Sequence, residues 1–282
     1  MKHRFYLDFG VTSPETQLNT VLEAEVPNYP VIRPIVVGVF PNFEVSLFLH
    51  QRRQGEKGEF PILIYVIELE NGKKIVVDTG PCGPGDPSAK YHMPVRRTPE
   101  MEPRTALENI GVKPEEVETV ILTHLHWDHV SNCKLFTNAT FFVQKTELQY
   151  AVAPNPVQNG QYEIGLPGHK PLWMDVFSQI QPIEGDLHDF AKDVHLITLP
   201  GHTPGSMGVL VETQKGVHLI PGDHIPLFAN WEGDQKLRYI CGSIHIDLED
   251  YYRSFRKISD VDVVLPSHDF ATVQHSCYPV ME

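Results

Sequence analysis

Cysteine is scarce in this chain, and its four copies are scattered. Cys82, Cys133, Cys241 and Cys277 form no CxxC pair, so neither a thiolate metal knuckle nor a disulfide framework is indicated. No run of about 18 apolar residues occurs, which argues against a membrane-spanning helix. The opening MKHRFYLDFG lacks the apolar stretch of a secretory signal and points to the cytoplasm. Basic residues are also few. Lys and Arg number 23 against 36 Asp and Glu, the net charge is −13, and the basic residues form no cluster beyond short pairs such as Arg52–Arg53 and Arg96–Arg97. Neutralising a phosphate backbone needs clustered cations, so no nucleic-acid partner is expected. No GxSxG elbow supplies a serine nucleophile. What remains is an acidic chain of 282 residues, 41% hydrophobic, sized for one large domain.

The most informative segment is VILTHLHWDH, residues 120–129. An apolar strand runs into His124, His126, Asp128 and His129, at spacings i, i+2, i+4 and i+5. In extended backbone, residues i and i+2 point the same way, so His124 and His126 can grip one ion. Asp128 and His129, past the turn, can face a second. Imidazole and carboxylate suit zinc, with iron or manganese as competitors. Partners follow downstream: His202 in HLITLPGHTPGS, Asp223 in VHLIPGDHI and His268 in VDVVLPSHDF. Each stands where an apolar strand gives way to a loop, the usual location of chemistry in α/β proteins.

The spacing also suggests a duplication. KKIVVDTG ends near Asp78 and is followed 46 residues later by His124; GVHLIPGD ends near Asp223 and is followed 45 residues later by His268. Two βαβ-like halves would bring both sets of strand ends to one seam.

HLHWDH matches the HxHxDH signature of the metallo-β-lactamase superfamily, and Asp78, His202, Asp223 and His268 fall in its order over roughly residues 60–270. The resemblance implies an α/β fold, the αβ/βα four-layer sandwich, with two facing β-sheets and helices outside. It implies one domain over 1–282, with a core at about 60–270 and an N-terminal extension over 1–59. It further implies two divalent ions, zinc foremost. His124, His126 and His202 would hold one ion and Asp128, His129 and His268 the other. Asp223 would bridge them, and Asp78 would lie behind the ligand loop.

The implied chemistry is hydrolysis of a carbonyl bond by a hydroxide shared between the ions, with Asp128 relaying a proton to the leaving group. Within the superfamily the chain looks most like the N-acyl homoserine lactonase group, through TLPGHTPGS, the segment NCKLFTNATFFVQKTELQYA, Asp rather than Cys at the bridging position, and an aromatic, Trp127, before the Asp of the loop. A small lactone or related ester is the expected substrate. A thioester, an amide, or iron-dependent oxidation on the same fold are the alternatives. One position departs from the group: its tyrosine three residues after the bridging aspartate is replaced by Pro226, which cannot donate a hydrogen bond. Trp127, His224, Phe228, Trp231 and Tyr239 are candidates for the substrate pocket.

Elsewhere, weak strand signals occupy residues 1–30. Strands are expected over 35–40, 44–49, 62–70 and 74–78, with Asn71–Gly72 as a hairpin turn. A short helix is expected over 105–110, ended by Gly111, and an amphipathic one over 248–258. Residues 81–99, rich in Gly and Pro, form either a wall over the metals or a surface loop. Tyr29, Phe40 and Phe43 look exposed and would serve either a homodimer contact or a sheet edge.

Overall fold

The computed structural model describes residues 29–280. The strand signals expected in residues 1–28 lie outside them. Two sheets face each other. The first has six strands in sequence order: β1 (Val31–Glu44), β2 (Lys57–Glu68), β3 (Lys74–Val77), β4 (Thr119–Ile121), β5 (Thr140–Gln144) and β6 (Ile180–Ile183). The second has five, β7 (Leu187–Ala191), β8 (Val194–Thr198), β9 (Met207–Thr213), β10 (Gly216–Ile220) and β11 (Val263–Val264), in the order β11-β10-β9-β8-β7.

Alternation of side chains along the strands explains the layering. In β2, Leu63, Tyr65 and Ile67 join Ile75, Val77 and Ile121 against Val194, Leu196, Val209, Val211 and Leu265 of the second sheet. The intervening Ile62, Ile64 and Val66 turn outward, to pack with Val76, Val120, Leu107 and Trp173. The second sheet sends Ile197, Leu199 and Leu219 outward onto Tyr251, Phe255 and Ile258. Strands buried on both faces read as continuous apolar runs, as ILIYVI does here. The result is helix, sheet, sheet, helix, the four-layer sandwich expected.

The helices are α1 (Val45–Phe48), α2 (Pro103–Glu108), α3 (Trp127–Val130), α4 (Lys145–Val152), α5 (Phe228–Glu232) and α6 (Leu248–Lys257). The hairpin at Asn71–Gly72 forms as expected, with Gly72 at φ 78° and its N–H donating to Leu69 O at 2.9 Å. The helix before Gly111 and the helix after Asp247 also form. Among the described residues no helix is long and apolar enough to cross a membrane.

Two expectations are corrected. The strand expected over 44–49 does not form past Glu44, where β1 ends: Val45 and Phe48, three apart, both turn into the core as one helical turn, and Leu49 N–H closes it on Val45 O at 3.0 Å. Phe40 and Phe43 are buried, packed against each other at 4.9 Å. They belong to the core beneath β1, the edge strand of the first sheet, and offer nothing to a dimer contact.

The duplication has a structural counterpart. β3 pairs parallel with β4, and β10 pairs parallel with β11. Each pair sends Asp from its first strand end and His from beyond its second to the same seam.

Candidate metal centre

The seven residues singled out by spacing converge in two groups. His124, His126 and His202 offer nitrogens within 4.8 Å of one another, and Asp128, His129, Asp223 and His268 do the same. In the first group His202 Nε2 lies 3.2 Å from His124 Nε2 and 3.1 Å from His126 Nδ1. In the second, Asp223 Oδ1 lies 3.1 Å from both His129 Nε2 and His268 Nε2. The other oxygen, Oδ2, is 3.7 Å from His202 Nε2. Asp223 therefore faces both groups, one oxygen to each.

The hydrogen bonds on the outer ring nitrogens fix the tautomers. His202 Nδ1 donates to Ile244 O (2.7 Å) and His268 Nδ1 to Pro61 O (2.9 Å), both carbonyls that only accept. His129 Nδ1 donates to the Asp78 carboxylate (2.7 Å). Thr123 Oγ1 donates to Asp78 and so accepts from His124 Nδ1 (3.1 Å). With the rings neutral, the form a metal ion requires, the inward Nε2 of all four carries the lone pair. His129 Nε2 and His268 Nε2 are buried and lack a hydrogen bond, although Asp223 is 3.1 Å away. Lone pairs converging at this distance repel unless a cation lies among them. Ligands at about 2.1 Å around a tetrahedral ion sit about 3.4 Å apart, close to the spacing found. The donor set fits two divalent ions.

Electrostatics separate the groups. Burial first, then the neighbouring imidazoles, hold His124 and His126 well below the ordinary histidine range. Burial would lower His129 too, but Asp223, Asp128 and Asp78 surround it and raise it well above that range. Neutral imidazole is the form that binds a cation, and the carboxylates add the charge that the first group lacks.

Backbone geometry allows the approach. Gly201, φ 136°, comes so close to α6 that a Cβ there would lie 2.4 Å from Tyr251 Cα. Gly222, φ 54°, brings the strand end before Asp223 within 2.7 Å of Thr123 Oγ1, measured from the position of a Cβ. Both turns occur at the seam between the sheets.

Asp78 stands where expected, 3% exposed, behind the loop. It accepts from Thr123 N–H and Oγ1, each at 2.8 Å, and from His129. Trp127 is buried under the loop 81–99, whose His92 lies flat upon it with ring centroids 4.1 Å apart. That loop reaches the centre through this contact, and its own residues, Cys82, Pro87, His92 and Met93 among them, line a hollow of about 630 Å³. Phe228 and Trp231 are half-buried. His224 and Tyr239 are not walls of an open cleft. His224 is fully buried and stacks on Tyr251 at 4.4 Å, and Tyr239 stacks on Phe255 at 4.7 Å, both in the apolar layer under α6. Pro226 is buried as well, and its carbonyl accepts the His268 N–H at 2.9 Å.

Glu147 went unnoticed in the sequence. Fully buried, it accepts from Leu125 N–H (3.0 Å), Tyr162 OH (2.8 Å), Thr203 Oγ1 (2.6 Å) and Gly205 N–H (3.2 Å). It thus ties the His124–His126 loop to the loop carrying His202. Gly205 is the one signal for it, since a Cβ there would fall 2.2 Å from Glu147 N.

Residues 58–268 match the family model of the metallo-beta-lactamase superfamily. The chain belongs to that superfamily, and with its donor set complete it is a metal-dependent hydrolase. A curated relative, the N-acyl homoserine lactonase AttM of Azorhizobium caulinodans, is 29% identical over 218 residues, 72% of this chain and 78% of that protein. A solved quorum-quenching N-acyl homoserine lactone lactonase superposes with a TM-score of 0.66 at 23% identity, over 87% of this chain and 94% of its own. AidC, described as a dizinc quorum-quenching lactonase, superposes with a TM-score of 0.63 at 17% identity, over 85% and 88%. Both likenesses concern the fold.

Proposed function

We propose that this chain opens a small lactone or related ester with two zinc ions. His124, His126 and His202 would hold one ion, Asp128, His129 and His268 the other, and Asp223 would join them. The observation that carries the reading is the placement of the two Asp223 oxygens, 3.1 Å from His129 and His268 on one side and 3.7 Å from His202 on the other. Imidazole and carboxylate without thiolate suit zinc. When bound, the ions supply Lewis acidity to the carbonyl and bring the pKa of water toward neutrality.

The chain's own groups supply the rest. Asp128 Oδ2 is 3.8 Å from both His129 Nε2 and His268 Nε2, and its side chain is 11% exposed where those imidazoles are at 0%. It is the donor with room to face the cleft, and it would pass a proton to the departing alkoxide. Pro226 has no N–H and its carbonyl is engaged, so that position offers the substrate no hydrogen bond. The lactonase names of the relatives and the intact donor set support a lactone over an amide.

The test is hydrolysis of an N-acyl homoserine lactone by purified protein of measured metal content, alongside aryl ester, thioester and amide substrates. Ring opening that disappears on chelation and returns with zinc is expected. A protein loaded with two ions that leaves lactones and esters intact would overturn the proposal, and a single tightly held iron would favour oxidation.

A further inference from the structure

Glu163 is a buried carboxylate that belongs to neither donor group. It is 1% exposed and sits at φ 59°. Its Oε1 accepts from His92 Nε2 at 2.8 Å and lies 2.9 Å from His169 Nε2, while Oε2 accepts the Leu172 N–H at 3.1 Å. What it orients is His92, whose side chain is also 1% exposed and lies on Trp127 at an interplanar angle of 8°. Trp127 is fixed from other directions as well. Its backbone N–H donates to Gln161 O at 2.9 Å, and Phe40 meets its ring edge-on at 6.1 Å.

The residue after Trp127 is Asp128, the outlying member of the second donor group. It stands 3.8 Å from the imidazole nitrogens that Asp223 approaches to 3.1 Å. The helix carrying both residues is four residues long and has no side-chain cap. A single turn does not hold itself, so packing determines where it lies. The seat of Trp127 therefore sets the direction of Asp128.

We infer that Glu163 and His92 are positioning residues for Asp128, acting through Trp127, and that they tune the second ion site without touching the first. The inference rests on the reading of the two donor groups as ion sites. The hydrogen bond to Glu163 makes Nε2 of His92 a donor and holds the ring plane; the stack then transmits that plane to the indole.

Zinc titration of the full chain against a competing chelator, resolving two affinities, tests this. His92→Ala and Glu163→Ala should weaken the second affinity by about 10-fold, the lower end for residues that support a ligand indirectly, and leave the first unchanged. His92→Phe keeps a ring on Trp127 and should restore most of the loss. Its near-parent affinity would also show that the site survives removal of the imidazole. Tyr91→Phe removes only the Tyr91 OH to Pro167 O bond (2.9 Å) between the same two loops and should change neither affinity. Parent-like second affinity in His92→Ala overturns the inference. So does a loss in Tyr91→Phe as large as in His92→Ala, which would make loop closure the cause. A parent chain that takes up fewer than two ions overturns the two-site reading itself.

Discussion

The two halves of the centre share a frame and put it to different uses. In one, β3 ends on Asp78 and its parallel neighbour leads through Thr123 to His124. In the other, β10 ends near Asp223 and its neighbour leads through Ser267 to His268. A hydroxyl donates to the aspartate in each: Thr123 Oγ1 to Asp78 Oδ2 at 2.8 Å, Ser267 Oγ to Asp223 Oδ1 at 2.7 Å. Yet Asp78 braces an imidazole from behind, while Asp223 meets the inward nitrogens of three. The backbone marks the difference. Asp78 itself takes the left-handed conformation, φ 62°, whereas Gly222 takes it one residue ahead of Asp223, at φ 54°. Which residue absorbs the turn decides whether the carboxylate faces the cleft or the core.

Exchanging roles should therefore fail unequally. Asp223→Ala removes the oxygen facing each group, and we expect both zinc affinities to fall and activity to drop on the order of 10³-fold or more. Steady-state kinetics with elemental analysis on a chain still folded by circular dichroism would check this. Retained activity would reduce Asp223 to the status of Asp78. His126→Ala comes next. Its outer nitrogen has no partner, so the change disturbs one group only; one zinc per chain should remain and activity should fall about 100-fold, the scale for losing one charge-stabilising group. Asp78→Ala leaves every inward donor in place but frees the His129 ring. A 10- to 100-fold loss in the second zinc affinity is expected, with a smaller one in the first because Asp78 also holds the Thr123 hydroxyl behind His124; an equal loss at both sites would break the distinction between brace and bridge.

The donors were legible because metal binding needs particular residue types at strand ends, and the i, i+2 spacing in the loop just past β4 brings His124 and His126 together. The sheet pairs were legible from apolar runs closing on Asp and His. What the sequence hid depends on tertiary approach. Glu147 reads as a surface acid in an ordinary helix until Gly205 is seen to admit its backbone. Phe40, Phe43, His224 and Tyr239 read as free aromatics because their covers arrive from elsewhere in the chain: Trp127, His268 and Phe60 for the first two, α6 for the others. His92 carries no local signal at all; its use depends on Glu163, 71 residues away.

Glu147 offers the smallest and sharpest test, since it is the counterpart of Asp78 in the first group but touches no donor ring. Its Oε1 accepts from Leu125 N–H and Tyr162 OH, its Oε2 from Thr203 Oγ1 and Gly205 N–H. In Glu147→Gln one oxygen can keep the first pair, but the amide nitrogen then faces the Gly205 N–H, donor against donor. An unsatisfied buried donor costs about 1–3 kcal/mol, which for a chain of this size lowers Tm by roughly 2–10 °C. Both zinc affinities should stay near parent values, because the loops shift without losing a ligand. The pH dependence has a definite sign. Burial raises the Glu147 carboxyl above its ordinary 4.5, so the folded state holds the proton more tightly than the unfolded one. Its contribution to stability is fully present below about pH 4.5 and is lost as pH rises through the folded value. Glutamine does not titrate, so the gap in Tm between parent and variant should widen on acidification. A gap that closes instead would mean that the four donors around Glu147 outweigh burial and hold its carboxylate charged in the folded state.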